Sequence, residues 1–143
     1  MNINSIDVAM KVAFGYPVMI LGENDILNRI IMAEALFLLE GEDYSRKNFR
    51  IDMHEANRYT VRMPYNARFD EWKYSDHDEF AARKENQMND YPNHILCFIN
   101  VWSASSYWIM QMLLRLYQGR RMIMIGKDTP FSCLSDRCYI VRP

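Results

Sequence analysis

The chain reads as an α/β domain with a mainly parallel sheet. Two observations predict this. The runs Ile95–Ile99 and Met122–Ile125 are apolar without alternation, as strands are when both faces are covered. Between them lie a short polar loop and a long apolar helical stretch, which makes one βαβ unit. A third observation repeats the pattern: Pro17-Val-Met-Ile-Leu21 ends in Gly22 and is followed by a second apolar helical stretch. The fold predicted for residues 1–143 is a single Rossmann-like domain, with about five strands and helices on both faces.

Taken in order, Ser5 is the expected cap of a first helix, with Ile6, Ala9, Met10 and Ala13 on one face. Gly15 and Pro17 end it. Asn24 or Asp25 caps the next helix, from Ile26 to about Glu40. That helix is apolar nearly all round, which predicts deep packing or a subunit interface and hence a homo-oligomer. Phe49–Met53 and Tyr59–Met63 alternate apolar with polar residues and predict two half-solvated strands. A helix is expected from about Asp76 to Asn89. A central helix is expected from Ser103 to about Gln118, with Ile109, Met112, Leu113, Leu116 and Tyr117 as its packing stripe. Gly119 ends it, and Cys138–Val141 is a last strand at an edge.

Composition narrows the function. With 17 basic and 18 acidic residues among 143, the chain has no general attraction to nucleic acid or to an anionic membrane. No apolar stretch reaches the roughly 18 residues that span a bilayer, and no secretory leader is visible. Cys97, Cys133 and Cys138 form no regular framework, with Cys97 expected in the core. Together these predict a cytoplasmic protein. His54, His77 and His94 lack ligand spacing, so no metal is expected, and no cofactor is implied. There is no Gly-x-Gly-x-x-Gly, no Walker-type loop and no nucleophile elbow.

What remains points to a pocket. Ligands of open α/β sheets sit at the carboxyl ends of the strands. There the Ser103–Ser106 turn offers hydroxyls and backbone N–H groups to an anion, and Trp102 can stack on a base. Glu23 and Asn24 follow the first strand on the same side. Arg83 and Asn86, three apart on one helix face, could hold a phosphate and a ribose or base edge.

These segments resemble the Rossmann-like SLOG superfamily and the related nucleoside 2-deoxyribosyltransferases. Gly22-Glu23-Asn24-Asp25 stands where those proteins carry a Gly-Ser-Arg-type loop. Glu85-Asn86-Gln87-Met88 and His94-Ile-Leu-Cys-Phe98 are similar to their helix and strand motifs. Ser103-Ala104-Ser105-Ser106 takes the place of their Ser-x-Gly-Thr loop. The resemblance implies a nucleotide-type pocket. The transferases' catalytic Glu position is occupied by Tyr107, Trp108 and Ile109, so the pocket is expected without that nucleophile. The expected function is binding of a nucleotide or nucleoside derivative by Glu23, Asn24, Arg83, Asn86, Trp102, Ser103, Ser105 and Ser106, with no catalytic residue. Two alternatives stand beside it. One is a hydrolase or transferase of an N-glycosidic bond using Glu23 or Asp25. The other is a protein-binding module on the same scaffold.

Overall fold

The computed structural model describes residues 1–42, 47–60, 76–128 and 131–143. Its five strands are β1 (Val18–Leu21), β2 (Asn48–Asp52), β3 (Ile95–Ile99), β4 (Met122–Gly126) and β5 (Tyr139–Val141). They form one all-parallel sheet in the order β2-β3-β4-β1-β5. Parallel pairing forces a crossover between successive strands. Helix α1 (Ile3–Ala13) precedes β1, and the crossovers are supplied by α2 (Asp25–Glu40), α3 (Met53–Thr60), α4 (Asp76–Asp90), α5 (Ser106–Tyr117) and the single turn α6 (Ser132–Ser135).

The two sheet faces are covered by different helices. Val18 and Ile20 of β1, Cys97 of β3 and Ile123 and Ile125 of β4 pack with α1 and α2 through Val12, Ile31, Met32 and Leu36. The alternate residues, Met19, Phe98, Met122 and Met124, pack with α3, α4, α5 and α6 through Met53, Met88, Trp108, Met112 and Leu134. This is why the strand sequences do not alternate: no strand residue of β1, β3 or β4 faces water.

Strand order also decides where a crevice can form. The chain leaves β1 through α2 on one face and leaves β4 through α6 on the other. Those strands are neighbours, so the topological switch point lies between their carboxyl ends, at Gly22 and Gly126. In the dinucleotide-binding order 3-2-1-4-5-6, β1 is flanked by β2 and β4. Here it is flanked by β4 and β5.

Several local expectations change. Asn2, not Ser5, caps α1, its side chain accepting from the Asn4 amide at 2.8 Å. Ser5 lies inside the helix, buried, and donates to Glu34 Oε1 at 2.9 Å. The expected second strand of the mid-chain pair is not formed at its start: Tyr59 and Thr60 end α3, and Val61–Met63 lie outside the described residues. Met53 and Ala56, three apart, supply the buried face of that helix, and a helical spacing overrides the short alternation. Helix α2 is not buried all round: Ile26, Ile30, Phe37 and Leu38 are exposed. In α5 the helix proper starts at Ser106 after a 3₁₀ turn at Val101–Ser103. Tyr117 is exposed rather than packed, while Trp108 and Arg115 are buried.

The cysteines are all free. Burial pushes the Cys97 and Cys138 thiols from 9.0 up to about 12, and only Cys133 is exposed. A thiol reagent at pH 8 is therefore expected to label one cysteine rapidly in the native protein and three after denaturation, since the thiolate is the reactive form. The same shift has a stability consequence. Above pH 9 the unfolded chain releases thiol protons that the folded chain keeps, so stability falls as pH rises toward about 12.

Candidate functional site

The switch point itself is closed by a side chain. Asn28, on the first turns of α2, is buried and donates through Nδ2 to the carbonyl of Gly22 at 2.8 Å and of Gly126 at 3.4 Å. The Gly22 amide donates to the Gly126 carbonyl at 3.0 Å. A Cβ at Gly22 would stand 3.0 Å from Asn28 Oδ1 and 3.4 Å from Pro143. From Gly22 to Asn28 the spacing equals that from first glycine to lysine in a Walker-type loop. Leu27-Asn28 here replaces Gly-Lys. Helix α2 starts at Asp25 under the Asn24 cap, so the connection is too short to form a phosphate cradle. The amide of Asn28 fills the space instead.

Polar groups converge instead further along the same edge, at the ends of β2, β3 and β4. Asn100 follows β3 in a left-handed conformation, φ 58° and ψ 46°. Asparagine tolerates that geometry better than most residues. It turns the side chain toward β2, where Nδ2 donates to Asp52 Oδ1 at 2.9 Å and lies 3.3 Å from His54 Nδ1. Asp52 Oδ1 also accepts from the His54 amide at 2.9 Å. An amide donor facing Nδ1 puts the ring proton of neutral His54 on Nε2. Trp102 stands edge-on to His54, ring centroids 5.1 Å apart, with the Lys127 ammonium 5.8 Å from its ring centre. Its indole rests on Gly126, where a Cβ would come within 3.2 Å of Trp102 Cδ1. Even so, Trp102 is 38% exposed.

The eight residues expected at the site are divided by the fold. Glu23, Asn24, Trp102, Ser103 and Ser105 lie in the two connections at the carboxyl edge, and Ser106 opens α5 there. Glu23 is exposed. Asn24 Oδ1 is taken by the Leu27 amide at 3.0 Å, so its role is that of a cap. The Ser103 hydroxyl donates to the Asn100 carbonyl at 3.0 Å, and the Ser103 and Ala104 amides close the 3₁₀ turn. Ser106 is exposed at the start of α5, and Ser105 occupies the N-cap position without a side-chain capping bond. The Ser105 hydroxyl oxygen is buried and has no hydrogen-bond partner. Arg83 and Asn86 are exposed about halfway down α4. That helix runs toward the amino end of β3, which directs it away from this edge.

Asp52, His54, Asn100 and Lys127 were not among the expected residues. The signal available for Asn100 was its position directly after an apolar strand, where a turn needs a residue that accepts positive φ.

No known family model matches the chain, and no curated protein matches it. Among solved structures it is similar to a chain in the structure of Drosophila ORC bound to GC-rich DNA and Cdc6. The identity is 8% and the TM-score 0.38, over 97% of this chain and 28% of that one. This chain thus spans under a third of that neighbour's length, and a likeness of this degree carries no functional argument. Among the described residues, no group of histidine, cysteine and carboxylate side chains could hold a metal ion. No helix there is long and apolar enough to cross a membrane.

Proposed function

We propose that the chain binds a nucleotide or nucleoside derivative at the carboxyl edge of β2, β3 and β4, as a sensor, carrier or sequestering protein in the cytoplasm. The observation that carries this reading is Trp102. It is a half-exposed indole fixed between His54 and Gly126, with an ammonium group beside it. A held aromatic face is a stacking surface for a base, worth about 1–3 kcal/mol per base. Lys127 supplies charge for a phosphate, and His54 Nε2 and Asp52 supply a donor and an acceptor. The resemblance to SLOG and deoxyribosyltransferase proteins points to the same ligand class. Turnover is not part of this reading. Asp25 is held by Arg29 at 2.8 Å in an exposed ion pair, and Glu23 stands in solvent.

A nucleotide present at about 100 times its dissociation constant should stabilise the fold by roughly 2.7 kcal/mol. The test is calorimetric titration with nucleoside mono-, di- and triphosphates and ADP-ribose. Trp102→Ala should weaken whichever ligand binds by about tenfold or more, given the stacking energy. If every ligand in the panel leaves the wild-type heat and melting temperature unchanged, the reading fails.

One observation favours the protein-binding alternative. Ile3, Ile6 and Met10 of α1 and Ile26, Ile30, Phe37 and Leu38 of α2 are exposed on helices that pack together. Ile26, Ile30 and Phe37 share one side of α2 by helical spacing, and an apolar stripe left exposed in this way suits an interface. A homodimer through α1 and α2 would cover it while leaving the opposite face, and the Trp102 edge, open.

A further inference from the structure

The opposite end of the sheet holds a cavity of about 600 Å³. It lies between the end of α4, the loop entering β3 and the loop from α5 to β4. Asn89, His94, Arg115, Gln118, Arg120 and Arg121 line it. Gly119, at φ +74°, turns the chain sharply after α5 and brings Arg120 and Arg121 back beside Arg115.

Two of the arginines have evident structural tasks. Arg120 donates to the carbonyls of Met88 and Tyr91 at 2.9 Å and of His94 at 3.1 Å, which staples the α4–β3 loop. Arg121 pairs with Glu40 at 2.9 Å and donates to the Asn93 carbonyl at 2.7 Å. Arg115 is different. It is 3% exposed, and its Nη1 meets only neutral groups, Asn89 Oδ1 at 2.8 Å and Gln118 Oε1 at 3.0 Å. Its Nε and Nη2 are buried and have no hydrogen-bond partner. Among the described residues no carboxylate lies within ion-pair distance of it. A buried cation without a counter-charge is costly. The neighbours add to that cost: the guanidinium of Arg120 has its pKa lowered by burial first, then by Arg115 and Arg121. Among the described residues these three guanidinium groups have one ion-paired carboxylate, Glu40, which leaves an excess of two positive charges.

We propose that this cavity binds the phosphate group of a small phosphate monoester. Such a group carries about −1.5 to −2 charge at neutral pH and three acceptor oxygens, which matches the excess. The guanidinium fork is suited to phosphate oxygens. The volume lies in the range of small-molecule sites, about 300–1,000 Å³, and leaves room for the esterified body. Arg115 holds the phosphate, Arg120 and Arg121 keep their structural bonds and add positive charge at the wall, and Gln118, exposed just after α5, swings aside to uncover the Arg115 guanidinium. The site stands at the other end of the strands from Trp102, so it does not rest on the nucleotide reading above.

The test is isothermal titration of the full chain with inorganic phosphate and with ribose 5-phosphate, in chloride-matched buffer. It uses wild type, Gln118→Glu and Arg115→Gln. Gln118→Glu places a carboxylate where Oε1 already meets Arg115, so it supplies the missing counter-charge internally and should fold at least as stably as wild type. Both probes should bind wild type, the ester more tightly, and Gln118→Glu should weaken both by about tenfold or more. Trp102→Ala should leave them unchanged. If neither probe binds wild type, or if Gln118→Glu binds as wild type does, Arg115 is a structural staple and the proposal falls. Equal affinity for the two probes would overturn the assignment to an ester. Arg115→Gln, if it folds, should match Gln118→Glu in losing the probes.

Discussion

Trp108→Ala is expected to cost about 3–5 kcal/mol of stability. That is a large fraction of the 5–15 kcal/mol by which a domain is ordinarily folded. Trp108 is fully buried and, among the described residues, the largest of the fully buried side chains. It lies in the core between α5 and the sheet face formed by Met19, Phe98, Met122 and Met124. The Tyr107 ring meets it edge-to-face at 5.3 Å, a geometry worth about 0.5–1.5 kcal/mol beyond area burial. Truncation leaves a cavity that rigid strands on one side and α3, α4 and α6 on the other cannot collapse to fill. Urea unfolding should show a lower midpoint with an unchanged slope, because the surface exposed on unfolding barely changes. Trp108→Phe should recover part of the loss. A change under about 1 kcal/mol for Trp108→Ala would mean that this core is far looser than its burial implies.

The two layers packed on the sheet were legible because burial on both faces leaves an unmistakable trace. Ile95–Ile99 and Met122–Ile125 admit no polar residue, and an edge strand such as Asn48–Asp52 does. Strand order was not legible. The position of β1 between β4 and β5 depends on which face each crossover takes, and no residue encodes that locally. Helix α3 was missed for a related reason. The alternation in Phe49–Met53 continues in appearance at Tyr59–Met63, while the helical evidence rests on only Met53 and Ala56. Local propensity is weak beside tertiary packing.

The carboxyl-edge site was half legible. Trp102 and the serine loop follow from the βαβ pattern, because a βα loop must lie at that edge. The partners of Trp102 do not follow. His54 and Asp52 meet Asn100 across 46 and 48 residues of chain, and only the β2–β3 register brings them together. Arg115 shows the same limit from the other side. In Leu113-Leu114-Arg115-Leu116 an arginine looks like an ordinary solvated helix position. Its partner Asn89 lies 26 residues earlier, and only the tertiary fold brings the two together.

Asn28→Asp, which replaces one terminal NH2 by an oxygen, is expected to be strongly destabilising. The side chain is buried, and its Nδ2 is the donor that holds the carbonyls of Gly22 and Gly126 across the β1–β4 crevice. Aspartate keeps the shape and replaces that donor with an acceptor facing two other acceptors. Asn28→Ala should cost about 1–3 kcal/mol, the penalty for leaving buried acceptors less satisfied. Asn28→Asp at neutral pH should cost more, about 3–5 kcal/mol, because it also buries an unpaired charge. The two variants separate by pH. An aspartate in this crevice has its pKa raised above the unfolded value of about 3.9, since the protonated form can donate where the carboxylate cannot. The folded state then holds a proton that the unfolded state has released. By linkage its stability falls as pH rises above about 4 and flattens once the folded group has also ionised. Melting curves of Asn28→Asp should therefore rise on acidification from pH 7 to pH 5, relative to Asn28→Ala at the same two pH values. Parallel curves would mean that the aspartate escapes to solvent, and that the crevice at the switch point opens more readily than its hydrogen bonds indicate. A crevice that opens would also be the place to look again for a phosphate, at the strand end where parallel sheets most often bind one.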